Sequence, residues 1–258
     1  MTLWGLAKPP GPLRIGPNPP RGLEFCVPFD SLDYVDLVHG LRPTVGSNPY
    51  IQDTAMGAAL NPNVSGRLGY AMTPPTVFSF EALVIAGSSP GASEGILTWD
   101  QNASGTSGTF DRDISGSGGK YSFHIFDGAG KTVTESGSNY AANTVTHLVA
   151  TSDGTDIKIY VNGALAGTTA AGTAYTGYSS PSYLVFGYNA NVGVEWSGFI
   201  SLFNMALVAW TADEVFARFV DPYGFLVSNT TDVFDTMVGT ASAPATTSHG
   251  GLLLLGVG

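Results

Sequence analysis

Residues 143–163, Asn-Thr-Val-Thr-His-Leu-Val-Ala-Thr-Ser-Asp-Gly-Thr-Asp-Ile-Lys-Ile-Tyr-Val-Asn-Gly, constrain the fold more than any other stretch. Val145, Leu148 and Ala150 stand among Thr144, Thr146 and Thr151. Further on, Ile157, Ile159 and Val161 alternate with Lys158, Tyr160 and Asn162. A period of two predicts two strands with one buried face. Asp153-Gly154 joins them, and Asn162-Gly163 closes the second. Both pairs tolerate the positive φ that tight hairpin turns demand.

The rest of the chain repeats this signature. Leu23–Asp30 alternates as a first strand and Val35–Leu37 begins a short second one. Between Gly40 and Gly69 the chain is rich in Asn, Pro and Gly and no strand is expected. Phe78–Ile85 is an apolar strand, and more follow near Gly95–Trp99, Lys120–Phe126, Lys131–Glu135, Val145–Thr151, Ile157–Asn162, Tyr183–Tyr188 and Val194–Phe203. Short strands separated by turn residues predict an all-β protein, an antiparallel β-sandwich in one large domain. One helix is expected. Thr211-Ala212-Asp213-Glu214 is a capping box, flanked by Trp210 and Val215 in the positions of a hydrophobic staple. It should run to about Val220 and stop before Asp221-Pro222.

The hairpin resembles that of laminin-G-like domains, in the concanavalin A-like lectin/glucanase superfamily. Their stretch reads roughly "W-H-H-V-A-x-T-x-D-G…L-Y-V-N-G". Thr146-His147-Leu148-Val149-Ala150, Asp153-Gly154 and Ile159-Tyr160-Val161-Asn162-Gly163 match it, with Val145 or Thr146 in place of the Trp. The resemblance implies a jelly roll. The segment Trp210–Leu226 is similar to the closing helix of laminin-G-like proteins encoded by tailed phages and prophages. Asn18-Pro19-Pro20-Arg21-Gly22-Leu23 and Asp36-Leu37-Val38-His39-Gly40 look like their opening elements.

Two flanking segments fall outside the expected sandwich, residues 23–226. Residues 1–22 hold Pro9, Pro10, Pro12, Pro17, Pro19 and Pro20, which predict an extended arm in polyproline II rather than helix or central strand. Residues 227–258 form a tail ending Leu252-Leu253-Leu254-Leu255-Gly256-Val257-Gly258. Apolar ends of this kind call for cover, either a neighbour's groove or sheet edge or the chain's own sandwich. Trp4, Pro9, Pro10 and Leu252 to Leu255 are the candidate assembly contacts.

Composition narrows the function. Charged residues are 12% of the chain, about half the usual share for a soluble domain, which suits a subunit covered by neighbours. A net charge of −10 with ten basic residues argues against a phosphate-tracking surface, so no direct nucleic-acid partner is expected. Cys26, the single cysteine, lies between Phe25 and Val27 and reads as a buried structural thiol. No signal peptide is read at the N-terminus, and no run is long enough to span a membrane. The sequons at Asn63, Asn102 and Asn229 read as accidental.

Catalysis finds little support. Glycoside hydrolases that resemble this jelly roll place two carboxylates on one strand, spaced as E-x-D-x-x-E, so that both face one cleft, and no such run exists here. Asp111-Arg112-Asp113 reads as part of a Gly/Ser loop. His39, His124, His147 and His249 have no metal-ligand spacing, and His147 falls on a packing position of the hairpin motif. Laminin-G-like relatives often bind glycans and calcium at the loop rim, which implies two candidate segments here. These are Trp99, Asp100 and Asn102, and Tyr188, Asn189, Asn191 and Trp196. Oxygen ligands suit calcium, so calcium is the one cofactor considered. The alternative places Trp99 and Trp196 in the core.

The expectation is a non-enzymatic structural component of a phage virion: a head decoration, fibre or tail-attached protein. It would be made in the host cytoplasm and held by its arms to other virion proteins and to copies of itself. The alternative is a carbohydrate-binding adhesin recognising host surface glycans; a glycan-degrading enzyme ranks last.

Overall fold

The structure is a computed structural model. It describes residues 8–9, 11–30, 33–46, 50–62, 68–73, 75–87, 94–100, 112–117, 119–125, 131–134, 141–171, 183–189 and 194–228. In chain order the elements are β1 (Leu13–Ile15), β2 (Leu23–Val27), β3 (Val45–Gly46), β4 (Tyr50–Thr54), β5 (Gly57–Asn61), β6 (Leu68–Ala71) and β7 (Phe78–Ile85). Then come β8 (Glu94–Asp100), β9 (Arg112–Ser117), β10 (Lys120–Ile125), β11 (Lys131–Thr134), β12 (Val145–Ser152), β13 (Asp156–Val161) and β14 (Ala164–Ala170). The chain continues through β15 (Tyr183–Phe186), β16 (Tyr188–Asn189), β17 (Val194–Glu195), β18 (Phe199–Ala206), α1 (Ala212–Val220) and β19 (Leu226–Ser228).

Two antiparallel sheets carry the architecture. One runs β11-β10-β9-β8-β15-β6-β3. The other runs β14-β13-β12-β7-β18-β5-β4, with β2 also paired to β18. The core lies between them, and aromatic residues dominate it. Phe25, Phe80, Trp99, Phe123, Phe186 and Phe203 are all buried. Phe186 meets Phe203 edge-on at 4.9 Å between ring centroids, within the range where such pairs add to area burial. The expected jelly-roll sandwich is therefore the fold.

The predicted hairpin is β12–β13. Ile157 and Ile159 are buried against the core. Asp153 Oδ1 accepts from the backbone N–H groups of Thr155 and Asp156, closing the first turn. Asn162 and Gly163 both have positive φ (51° and 78°), as the mirror-image hairpin turn requires. A strand not anticipated, β14, follows that turn and pairs with β13.

The helix starts as the capping box predicts. Thr211 accepts from Glu214 N–H at its side chain, and the Glu214 carboxylate accepts from Thr211 N–H. Trp210 and Val215 are buried together with Val149 and Tyr160.

Several expectations need correction. The eight-stranded sheet is covered on both faces. Leu83, Ile85 and Leu202 point away from the sandwich core into a second cluster with Leu13, Cys26, Tyr223, Phe225 and Leu226. Val35–Leu37 is not a strand. Asp36 is buried and its carboxylate accepts from the N–H groups of Cys26, Val38 and His39, which shapes a loop instead. The segment between Gly40 and Gly69 holds three strands and the start of a fourth, because its Gly and Pro residues punctuate short strands rather than replace them. Arg112 and Asp113 begin β9 rather than lie in a loop; Asp111 is outside the described residues.

The Pro-rich arm contains β1, antiparallel to β19, where the window Leu13–Ile15 is free of proline. Lys8 ties the arm down further: Nζ donates to Ala58 O at 2.9 Å and to Pro28 O. Burial pushes its ammonium down to about 8, against the pull of Asp30. Of the expected tail 227–258, Val227 and Ser228 belong to β19, and residues 229–258 lie outside the described residues.

Candidate functional site

The rim segments come from neighbouring elements. Asp100 ends β8 and stands opposite Tyr183 on β15. Tyr188 and Asn189 pair with Glu195 and Val194. Thr98 Oγ1 donates to Tyr188 O at 2.6 Å, tying β16 to β8. The backbone therefore brings Trp99, Asp100, Tyr188, Asn189 and Trp196 to one end of the β8–β15 region. Asn102 and Asn191 lie outside the described residues.

The side chains do not make the expected aromatic platform. Trp99 is 0% exposed; its Nε1 donates to Met72 O at 3.1 Å and its ring stacks on Phe80. Trp196 is also 0% exposed and packs in the same core. Neither ring offers a face to a sugar. Strand parity explains it, since Trp99 is in phase with Leu97 and both point inward. Of this group Tyr188 keeps a partly open side chain.

Besides Asp36, two more buried carboxylates among the described residues serve the fold. Glu94 accepts from Ser197 N–H at 3.0 Å and from Ser197 Oγ–H at 2.6 Å, fixing the turn after Trp196. Glu81 lies on the outer face of β7 beneath α1 and is 0% exposed. Arg218 on α1 donates to both its oxygens at 3.1–3.2 Å, Asn204 Nδ2 donates at 2.6 Å, and His147 Nε2 lies 2.8 Å away. Burial alone would push the Glu81 carboxyl up. Arg218, then His147 and Asn204, outweigh it and hold it at about 2. The cluster clamps α1 to the sheet, with the Glu81 carboxylate fully buried beneath it. Sequence reasoning missed it, although a lone carboxylate in the apolar run Phe78–Ile85 was a usable signal. His147 is packed here, consistent with a structural place in the hairpin.

Among the described residues no group of three or more His, Cys, Asp or Glu side chains could hold a metal ion. No helix among them is long and apolar enough to cross a membrane. An open groove of about 670 Å³ runs beside the β1–β19 ribbon, lined by Pro9, Arg14, Ile15, Pro17 and Val227 among others. Pro9 is the one candidate assembly contact described; Trp4, Pro10, Leu252, Leu253, Leu254 and Leu255 are not among the described residues.

A family model for the concanavalin A-like lectin/glucanases superfamily matches residues 64–216, more than half of the chain. The chain belongs to the concanavalin A-like lectin/glucanase superfamily. No curated protein matches its sequence. Among solved structures, this superfamily member is similar to domain 4 of AbnA, a GH43 extracellular arabinanase from Geobacillus stearothermophilus, in complex with arabinotriose. The TM-score is 0.64 at 15% identity, covering 77% of this chain and 98% of that one. It is similar to the receptor binding domain of botulinum neurotoxin type G, with TM-score 0.59 and 16% identity over 77% of this chain. It is also similar to Trypanosoma rangeli sialidase in complex with the inhibitor DANA, with TM-score 0.56 and 12% identity over 80% of this chain. The chain spans 51% of the toxin domain and 34% of the sialidase. At these identities the likeness is one of fold.

Proposed function

We propose that this chain is a non-catalytic glycan-binding module. The observation that carries the reading is the match to nearly the whole of the arabinanase domain, a unit whose structure holds arabinotriose. A fold likeness to botulinum neurotoxin type C, whose cell entry depends on interaction with two ganglioside molecules, points the same way. The non-catalytic part rests on what the buried carboxylates do: Glu81 and Glu94 are each taken up by donors of the protein itself. Calorimetric titration of the whole chain with arabinotriose, followed by a glycan array, tests the reading. Saturable binding without release of reducing sugar supports it; reducing sugar released from a bound polysaccharide, or a blank array, overturns it. Alanine variants of Trp99 or Trp196 are unsuited to this test, because they excavate the core.

A second reading places the module in a phage virion, as a head decoration, fibre or tail-attached protein. The closing segment Trp210–Leu226, which resembles that of laminin-G-like proteins encoded by tailed phages, favours it. So does the ribbon β1–β19, which gathers the arm and the start of the tail on one side of the sandwich. The two readings are compatible, since a particle can display a sugar-binding domain. Mass spectrometry of purified particles tests the second reading; absence of the chain from them overturns it.

A further inference from the structure

The outer edge of the eight-stranded sheet presents a constellation that the rim does not. Tyr50 on β4 faces Asn61 on β5 across the ladder, and Gln52 lies two residues along on the same side of β4. Asn61 is 6% exposed. Its Nδ2 donates to Tyr50 Oη at 2.8 Å and to Gln52 Oε1 at 3.2 Å. Both N–H groups of that amide are therefore spent on fixing its two neighbours. Tyr50 is 40% exposed. Its own O–H and the Nε2–H groups of Gln52 have no acceptor among the described residues.

This is the chemistry of sugar recognition. A ring face receives the C–H side of a sugar, and adjacent outward donors meet its hydroxyl and ring oxygens. The ring and amide are held before any ligand arrives, which lowers the ordering cost of binding. Phe216, the other described aromatic that is well exposed, neighbours Phe219 on α1. Among the described residues no Lys or Arg hydrogen-bonds to Tyr50 or Gln52, and the chain carries a net charge of −10, so an anionic sugar finds no described cation there to pair with.

We propose that Tyr50, Gln52 and Asn61 form a binding platform for a neutral oligosaccharide. The proposal rests on the glycan-binding reading and supplies its location and sugar class.

The experiment is calorimetric titration of the whole chain with arabinotriose, lactose and sialyllactose. Variants Tyr50→Ala, Tyr50→Phe, Gln52→Ala and Phe216→Ala are compared, with thermal melts as a folding control. Tyr50→Ala is expected to weaken binding about tenfold or more through loss of the ring. Tyr50→Phe and Gln52→Ala are expected to weaken it about threefold to tenfold, one hydrogen bond each. Phe216→Ala should bind as wild type, and sialyllactose should bind more weakly than lactose. If wild type binds a neutral sugar and Tyr50→Ala, still folded, binds it equally well, the platform is wrong while the glycan-binding reading stands. Preference for sialyllactose overturns the neutral assignment. If no sugar in the set or on an array binds wild type, both readings fall together.

Discussion

Replacing Glu81 by Gln tests whether the buried clamp under α1 holds the sandwich closed. The shape is kept, but the charge that accepts from Arg218, His147 and Asn204 is gone. Two lines of reasoning give the size. The carboxyl sits at about 2 against an ordinary 4.5, worth about 3 kcal/mol of stability at neutral pH. Removing one partner of a buried ion pair costs about 3–5 kcal/mol, because the other charge stays behind; Arg218 is largely buried here. For a chain this long the melting temperature should fall by about 10 °C. The pH dependence follows from the sign. A carboxyl held below its unfolded value stabilises above pH 4.5 and loses that contribution as pH falls from 4.5 through 2. Urea unfolding of wild type and variant, at pH 7 and in steps down to pH 2, is the assay. The gap should be widest at neutral pH and narrow in acid. A gap below about 1 kcal/mol at pH 7, or one unchanged across the titration, refutes the clamp.

Other outcomes are cheaper to obtain. Thr211→Ala removes one half of the capping box and should cost about 1 kcal/mol in chemical denaturation, and adding Glu214→Ala should cost more, because Glu214 separately accepts from Thr211 N–H and from Arg21. Gly163→Ala meets both a positive φ of 78° and the Phe219 ring, about 2.9 Å from the new methyl, so it should destabilise by about 1–3 kcal/mol; a neutral result would mean that the turn and α1 rearrange together. Burial pushes the Cys26 thiol well up, so a disulfide reagent should modify it only after denaturation, and rapid labelling of native protein would contradict the described packing.

Local signals carried the parts of the fold that could be foreseen. Asn162-Gly163 and Asp153-Gly154 mark turns because few residues tolerate positive φ, and Thr211 with Glu214 marks a helix start because few pairs cap reciprocally. The missed strands lacked such marks. Tyr50–Thr54 is short and mostly exposed, and Ala164–Ala170 is built of small residues with weak alternation. The second buried layer was invisible for another reason. Whether Tyr160 or Glu81 faces water depends on α1 and residues 223–226 folding back, a long-range event that periodicity does not encode. The rim stayed open in the sequence because Asp100 and its polar neighbours suit a loop edge, whereas alternation with Leu97 sends Trp99 inward, the core placement that the sequence also offered. Tyr50 escaped notice inside a segment that read as turns.

The pairing of Leu13 with Ser228 has an engineering consequence. Opposed residues in an antiparallel ladder lie about 5 Å apart, so the polypeptide enters and leaves the sandwich through a single doorway. The body between them could be grafted into a surface loop of a carrier protein without prying the loop open, and a short linker across the doorway would allow circular permutation at any exposed turn. Whatever is attached before Leu13 and after Ser228 is thereby kept side by side.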